Sequence, residues 1–343
     1  MSELVKVAVD AMGGDNAPVE IVKGAVMAVN ENEDVCVYLV GVEDVVKNEL
    51  SKYKYPKERI IVVNATEIIE NAEPPVMAIR KKKDSSIVVA MNMVKNGDCD
   101  AFVGAGSTGA TLVGGQVLVG RIKGVERPPL APLIPTLKGE SLLLDCGANV
   151  DARASHLVQF AKMGTIYMRD VMGVENPKVG ILNIGAEEDK GNALVKETFP
   201  LLKNCPDINF VGSVEARDVP LGEVDVVVCE AFAGNILVKT YEGVGGALMS
   251  EIKKSMMTNL RSKIGALLVK PALKKGMKRF TTSDHGGAPL LGCKGLIVKT
   301  HGSSMAIEIK NSILQCITFT KQNIPIKIQE MINNSDDYVT DGE

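Results

Sequence analysis

The feature that most constrains this chain is a set of short, β-branched apolar runs recurring at residues 5–9, 35–40, 60–63, 101–103, 142–144, 179–183, 209–211, 224–229 and 296–300. Several are separated by helix-length segments, and near-continuous apolar strands of this kind are buried on both faces. Strands covered on both sides, with helices between them, imply a mainly parallel sheet with right-handed crossovers. The fold expected is therefore α/β, a mainly parallel sheet with helices on both faces. With 343 residues, 45% of them hydrophobic and 24% charged, the chain can bury a sizeable core. A single α/β unit is expected over 1–335, with two lobes around a cleft, followed by an acidic tail at 336–343. The proline-rich segment 127–135 reads as a rigid crossing between the lobes.

Many of the runs empty into clusters of Gly, Asn, Asp, Ser and Thr. These lie at 11–16 (AMGGDN), 104–109 (GAGSTG), 145–151 (DCGANVD), 183–192 (NIGAEEDKGN), 230–235 (EAFAGN) and 301–304 (HGSS). In open α/β sheets the ligand crevice lies beyond the carboxyl ends of the strands, so these loops are expected to converge on one site. Their composition suits an oxyanion, because glycine lets backbone N–H groups approach closely and helix N-termini add partial positive charge. Tight-turn chemistry explains any one of these clusters; the whole set points to a site.

Other chemistries are less well supported. The 104–109 cluster matches the GxGxxG pattern of dinucleotide binding, which keeps a nicotinamide-dependent dehydrogenase open. The acidic residue that pattern needs at the end of the next strand is missing, since Glu126 falls in a proline-rich turn. No GxxxxGK[ST] sequence occurs. His156, His285 and His301 are not spaced with each other or with cysteine as zinc ligands, so neither metal nor cofactor is expected. The seven cysteines are scattered and read as reduced core residues, and the start of the chain lacks the marks of a secretory signal; a cytoplasmic setting is expected. Cys146 could serve as a nucleophile beside His285 or His301, but a small buried residue at a strand end explains it more simply.

The net charge of −3 offers no general attraction to polyanions. Between 251 and 280, however, Lys253, Lys254, Arg261, Lys263, Lys270, Lys274, Lys275, Lys278 and Arg279 face a single acid, Glu251. Inside this segment the uncharged stretch 264–269, with Leu267 and Leu268, and then Pro271 and Leu273, reads as the apolar tip of a basic helical hairpin at about 243–280. Such an element suits an anionic membrane surface or an acidic protein. Equally, its leucines could pack on a second subunit. Nucleic acid fits poorly, because Phe280 is the segment's only aromatic.

The sequence VAVDAMGGDNAP at 7–18 resembles the amino-terminal signature of the bacterial phosphate acyltransferases of phospholipid synthesis. Further blocks similar to that family follow in order: GAGSTGA, RIKGVERP, LDCGANVD, EEDKGN, NFVGSVEARD, AGN before LVK, GGAPLLG and HGSS. Glu230-Ala231-Phe232-Ala233 departs from the family's common Asp-Gly-Phe-Thr, Ala216 from Gly, and His285 from Tyr. The resemblance implies a fold like that of isocitrate and isopropylmalate dehydrogenases and of phosphate acetyltransferase, usually as a homodimer. It also implies transfer of a fatty acyl group from acyl carrier protein to inorganic phosphate, with peripheral membrane attachment through the hairpin.

For that reaction the protein must position phosphate and a thioester and stabilise a tetrahedral oxyanion. Gly13, Gly14, Asn16, Ser107 and Thr108 are the expected cradle, and Lys190, Asn192 and Asn235 the main cationic and amide donors. His301 is the candidate acid for the departing thiolate. Asp10, Asp15, Asp145 and Asp151 are expected to orient the donors, and Asn149, Arg217, Gly286, Gly287 and Ser303 to complete the substrate site. Lys270, Lys274 and Lys275, with Leu267, Leu268 and Leu273, are the expected contacts for carrier protein and membrane. A non-catalytic scaffold that uses only this hairpin is the remaining alternative.

Overall fold

The computed structural model describes residues 4–277 and 286–333. His285, Lys278, Arg279, Phe280 and the expected tail at 336–343 lie outside the described residues. The strands are β1 (Val5–Asp10), β2 (Val35–Gly41), β3 (Ile60–Asn64), β4 (Ala101–Gly104), β5 (Leu133–Pro135), β6 (Glu140–Leu144), β7 (Lys178–Asn183), β8 (Asn209–Glu215), β9 (Val226–Val228), β10 (Ala288–Leu290) and β11 (Leu296–Lys299). The helices are α1 (Val19–Glu31), α2 (Glu43–Leu50), α3 (Pro75–Lys81), α4 (Ser86–Asn96), α5 (Thr108–Gly114), α6 (Ala154–Asp170), α7 (Ala193–Lys203), α8 (Ala231–Met256), α9 (Leu260–Met277), α10 (Ala306–Lys321) and α11 (Ile324–Asn333).

Two sheets form where one was expected. The first runs β10-β11-β4-β1-β2-β3 and the second β5-β6-β9-β7-β8. Both are parallel apart from the short outer strands β10 and β5, which pair antiparallel with β11 and β6. Neither outer strand is long enough to show a periodicity, and each contains a proline, so sequence pattern does not reveal them. One apolar cluster nevertheless spans both sheets, joining Val7 and Val103 to Leu142 and Val226 through Phe160, Tyr167 and Ile309. Tyr167 of α6 also accepts a hydrogen bond from Gln315 of α10 at 2.9 Å.

The proline-rich crossing lies between the sheets. Ala131 N–H donates to Pro289 O of β10, while Leu143 N–H of β6 donates to Pro132 O. Cys146 N–H donates to Leu130 O just beyond. Prolines hold this segment extended yet leave its carbonyls free to accept from both sides.

α8 begins against the second sheet and then leaves it. Tyr241 donates to Pro135 O at 2.7 Å, but nearly every described residue from 242 to 276 is exposed. The turn between α8 and α9 falls at 257–259, where Asn259 Oδ1 accepts from Ser262 N–H and starts α9. The stretch 264–269 therefore lies within α9, not at a tip, and α9 continues past Pro271. Asn259 carried the overlooked signal, because it is a good N-cap placed just before a helix-length segment. Among the described residues no helix is long and apolar enough to cross a membrane.

Candidate active site

The strand order reverses direction at β1 and β4, and the loops after these two strands press on each other. Asp10, at the end of β1, is fully buried and accepts from Met12 N–H and Gly13 N–H at 3.1 Å each. A side chain on Gly13 would meet Asp10 Oδ2 at 2.2 Å and the Gly106 backbone at 2.8 Å, so this contact between loops requires glycine. Gly14, at φ +106°, is pressed on Ala105, and Asp15 N–H donates to Gly302 O. Asn16 donates to Ser303 O at 3.0 Å. The 11–16 loop thus ties the 104–109 and 301–304 loops together from behind. Gly13 N–H and the Asn16 side-chain amide already serve neighbouring chain, which places these two as supports, and Gly14 braces the loop through its close contact with Ala105.

The front of these loops opens on a cleft of about 620 Å³ between the two sheets. Its walls include Thr108, Cys146, Gly147, Asn235, Gly286, Gly287, Lys299 and His301, with an apolar side made by Leu133, Ile134, Val238 and Tyr241. Thr108 and Asn235 make no side-chain hydrogen bond among the described residues, which leaves both free for a ligand. Ser107 is buried behind them, where its Oγ accepts from Ala110 N–H and caps α5. His301 is exposed, and Ser303 N–H donates to its Nδ1 at 3.2 Å. That bond makes Nδ1 an acceptor, so the neutral ring carries its proton on Nε2. Ser303 therefore positions the imidazole.

The 145–151 loop is built around Asp145. One carboxylate oxygen accepts from Leu130 N–H at 2.9 Å and Ala148 N–H at 3.3 Å, and the other from Asn149 N–H and Nδ2 at 2.7 Å each. Asn149 spends its other amide proton on Pro128 O at 2.9 Å, so both of its amide protons hold the loop. Asp151 is exposed and off the cleft walls. Burial raises the pKa of Asp145 above the usual carboxylate range, partly offset by these donors. The Cys146 thiol is pushed up to about 12 by burial and then by Asp145, which keeps it protonated and unsuited to attack. Glu230 shows why the departure from aspartate is tolerated: its carboxylate accepts from Phe232 and Ala233 N–H and caps α8.

The expectation of one convergent site needs correction at 183–192. This loop follows β7, on the far side of β9 from the cleft, and borders a second cavity of about 490 Å³. Asn183, Gly191 and Asn192 share that cavity with Ile181, Leu194, Phe232 and Ile236, and Phe232 lines both cavities. Asn192 caps α7 through Oδ1, which accepts from Val195 N–H at 2.9 Å. Lys190 is exposed, borders neither cavity, and has no ion-pair partner among the described residues. Arg217 is also outside the cleft, paired with Glu215 at 3.0 Å. Asp15 is exposed beside Gly302 and is not among the cleft walls.

Lys299 escaped the sequence reading because it sits in the apolar run of β11. It is only 8% exposed, yet lines the cleft. Its ammonium donates to Ala105 O at 3.3 Å and to Thr300 O. Burial lowers its pKa to about 8, while Asp10 and Asp15 act in the opposite direction. Asp10 itself has a raised pKa, chiefly from burial. Its Oδ2 has no hydrogen bond of good geometry, although the nearby Ser86 hydroxyl favours the charged form.

The fold is shared with solved structures of phosphotransacetylases. The phosphotransacetylase EutD of Staphylococcus aureus matches with TM-score 0.61 at 17% identity, covering 93% of this chain and 94% of that one. A phosphotransacetylase of Streptococcus pyogenes matches with TM-score 0.61 at 15% identity, over 97% and 95% of the two chains. Sequence comparison is more specific. The family model described as fatty acid synthesis protein matches residues 5–327. A putative phosphate acyltransferase of Clostridium perfringens is 50% identical over 328 residues, 96% of this chain and 97% of that protein. A phosphate acyltransferase of Clostridium botulinum is 50% identical over 327 residues, 95% and 98% of the two. The chain belongs to this fatty acid synthesis family of phosphate acyltransferases.

Proposed function

We propose that the protein transfers a fatty acyl group from the thioester of acyl carrier protein to inorganic phosphate, releasing acyl phosphate and the free carrier thiol. The observation that supports this most is the cleft itself: unengaged donors on Thr108 and Asn235, an Nε2-protonated His301 and a buried lysine surround one volume with an apolar wall. A phosphate oxygen attacks the thioester carbonyl carbon and forms a C–O bond as the π electrons move to oxygen. Collapse of that oxyanion breaks the C–S bond; the departing sulfur is met by a hydrogen bond from His301 Nε2–H and takes up the proton that the attacking hydrogen phosphate brought in, leaving the acyl phosphate as the dianion and the carrier as the free thiol. No covalent enzyme intermediate is needed, which agrees with a Cys146 thiol held protonated. Donors aimed at the oxyanion supply most of the rate enhancement in such a reaction. Asn235 is the amide donor from the α8 side. Lys190 and Asn192 lie on the neighbouring loop and serve if it closes over Phe232.

The exposed arm is the docking element in this reading. Val244, Leu248 and Ile252 repeat at helical spacing along α8, as do Leu260, Ile264, Leu267 and Leu268 along α9, all exposed. Lysines including Lys253, Lys254, Lys270 and Lys275 accompany them. An apolar stripe flanked by cations fits an anionic membrane surface, with acyl carrier protein delivered alongside. The protein would then work as a homodimer in the cytoplasm, attached peripherally to the inner membrane face.

Incubation with long-chain acyl carrier protein and phosphate, followed by trapping with hydroxylamine, should give more acyl hydroxamate than hydroxylamine forms directly from the thioester when phosphate is omitted. No phosphate-dependent excess of hydroxamate with a folded protein would reject the reaction and leave a scaffold. A change in nicotinamide fluorescence on titration would favour a dehydrogenase instead.

A further inference from the structure

Lys299 is a lysine that the fold has gone to some expense to bury. Its charge is removed from water at the end of β11, on the wall of the cleft and two residues before the 301–304 loop. An ammonium has three protons to donate, and two are taken by Ala105 O and Thr300 O. No third partner exists among the described residues. A buried cation with an open donor is unfavourable unless something completes it. Asp10 and Asp15 contribute at longer range, but neither forms an ion pair with it.

The surroundings select the kind of group that completes it. Gly286 and Gly287 pass so close to Ser312 and Lys299 that a side chain on either would meet backbone at 2.6 Å. Gly287 N–H is engaged, donating to Ser312 Oγ at 2.7 Å, so Thr108 and His301 are the short donors that the cleft edge offers beside Lys299. A compact tetrahedral anion uses a cation and several short donors at once, whereas an acyl chain uses neither.

We infer that Lys299 is the phosphate-binding cation of the cleft, its third ammonium proton donated to an oxygen of the attacking phosphate. The inference rests on the proposed reaction for its meaning, but binding of phosphate can be measured without turnover. The structural alternative is that Lys299 only offsets the buried carboxylate of Asp10. The two differ in what they do to phosphate alone.

The test compares the whole protein with Lys299→Met. Binding of inorganic phosphate is read by calorimetry, and KM is measured separately for phosphate and for the acyl donor. One charge-assisted hydrogen bond is worth roughly ten- to hundred-fold in affinity, so phosphate binding and the phosphate KM should weaken by that factor. The donor KM and the melting temperature should stay close to wild type. Unchanged phosphate affinity overturns the inference, and so does parallel loss of both KM values and melting temperature. If Lys299→Met does not fold, the wild type decides. Burial places the Lys299 pKa at about 8, so the charged form disappears as pH rises through that value. Phosphate itself loses a proton near neutrality, so the quantity to follow is affinity for the dianion, which should then fall between about pH 7 and 9; Asp10 and Asp15 nearby and His301, Lys239, Glu140, Glu242, Cys146 and Tyr241 along the walls are the other titratable groups. A flat profile in that range overturns the inference. Wild type that binds phosphate but yields no phosphate-dependent excess of hydroxamate would reject the reaction and leave the phosphate site standing.

Discussion

The two ends of α8 behave as different structures. At its start the helix is locked in place: Gly234 lies so close to the 145–151 loop that a side chain would meet Asp145 O at 1.9 Å. Glu230 caps it, and Tyr241 fastens it to Pro135 O. Beyond 242 nearly all of the same helix is exposed, and among the described residues Gly243, Gly245 and Gly246 have open space around them. One half fixes donors at the cleft, while the other leaves an apolar stripe uncovered. Precision at the cleft comes from packed backbone; reach at the arm comes from its absence.

The largest effect expected at the cleft side is on catalysis. Lys190→Ala should lower turnover by about two to three orders of magnitude, the scale for losing one oxyanion donor, in the hydroxamate assay. Because Lys190 stands outside both cavities, this variant is the sharpest probe of whether the 183–192 loop closes. Activity within a few-fold of wild type would show that it does not.

Two glycines of one helix divide the packed half from the free half. Gly234→Ala forces a side chain onto backbone and should destabilise by about 1–3 kcal/mol in urea unfolding. Gly246→Ala adds a better helix former in open space and should be neutral or stabilising by up to about 1 kcal/mol. Equal effects would erase the distinction between the halves. Asp145→Ala removes the acceptor of four hydrogen bonds, and leaving those donors unpaired should lower stability by roughly 1–3 kcal/mol or more.

The smallest effect on the folded protein should come from the arm. Leu268 is 76% exposed, so Leu268→Asp should leave the melting temperature unchanged while reducing co-sedimentation with anionic vesicles. Undiminished sedimentation would remove the membrane role from α9.

Much of the α/β pattern was legible in the sequence because buried parallel strands need apolar β-branched runs, and 5–9, 101–103 and 296–300 became β1, β4 and β11. The division into two sheets was not, since it depends on pairing between runs and on the short strands β5 and β10. At the candidate site, Thr108, Asn235, Gly286, Gly287 and His301 come together as their loop positions suggest. Composition cannot separate a donor that faces ligand from one that braces a loop, so Gly13, Asn16 and Asn149 read alike with Thr108 until their hydrogen bonds are seen. Lys299 was hidden for the converse reason: its neighbours Ile297 and Val298 describe a core strand, and burial of a charge leaves no mark on local sequence.

The most direct test of acyl transfer to phosphate is to follow radiolabelled inorganic phosphate. With acyl carrier protein carrying a long acyl chain, label should enter an organic-extractable acyl phosphate in proportion to the carrier thiol released. Thiol release without label in the acyl product would mean that water, not phosphate, is the acceptor, and would contradict the reaction assigned to the cleft.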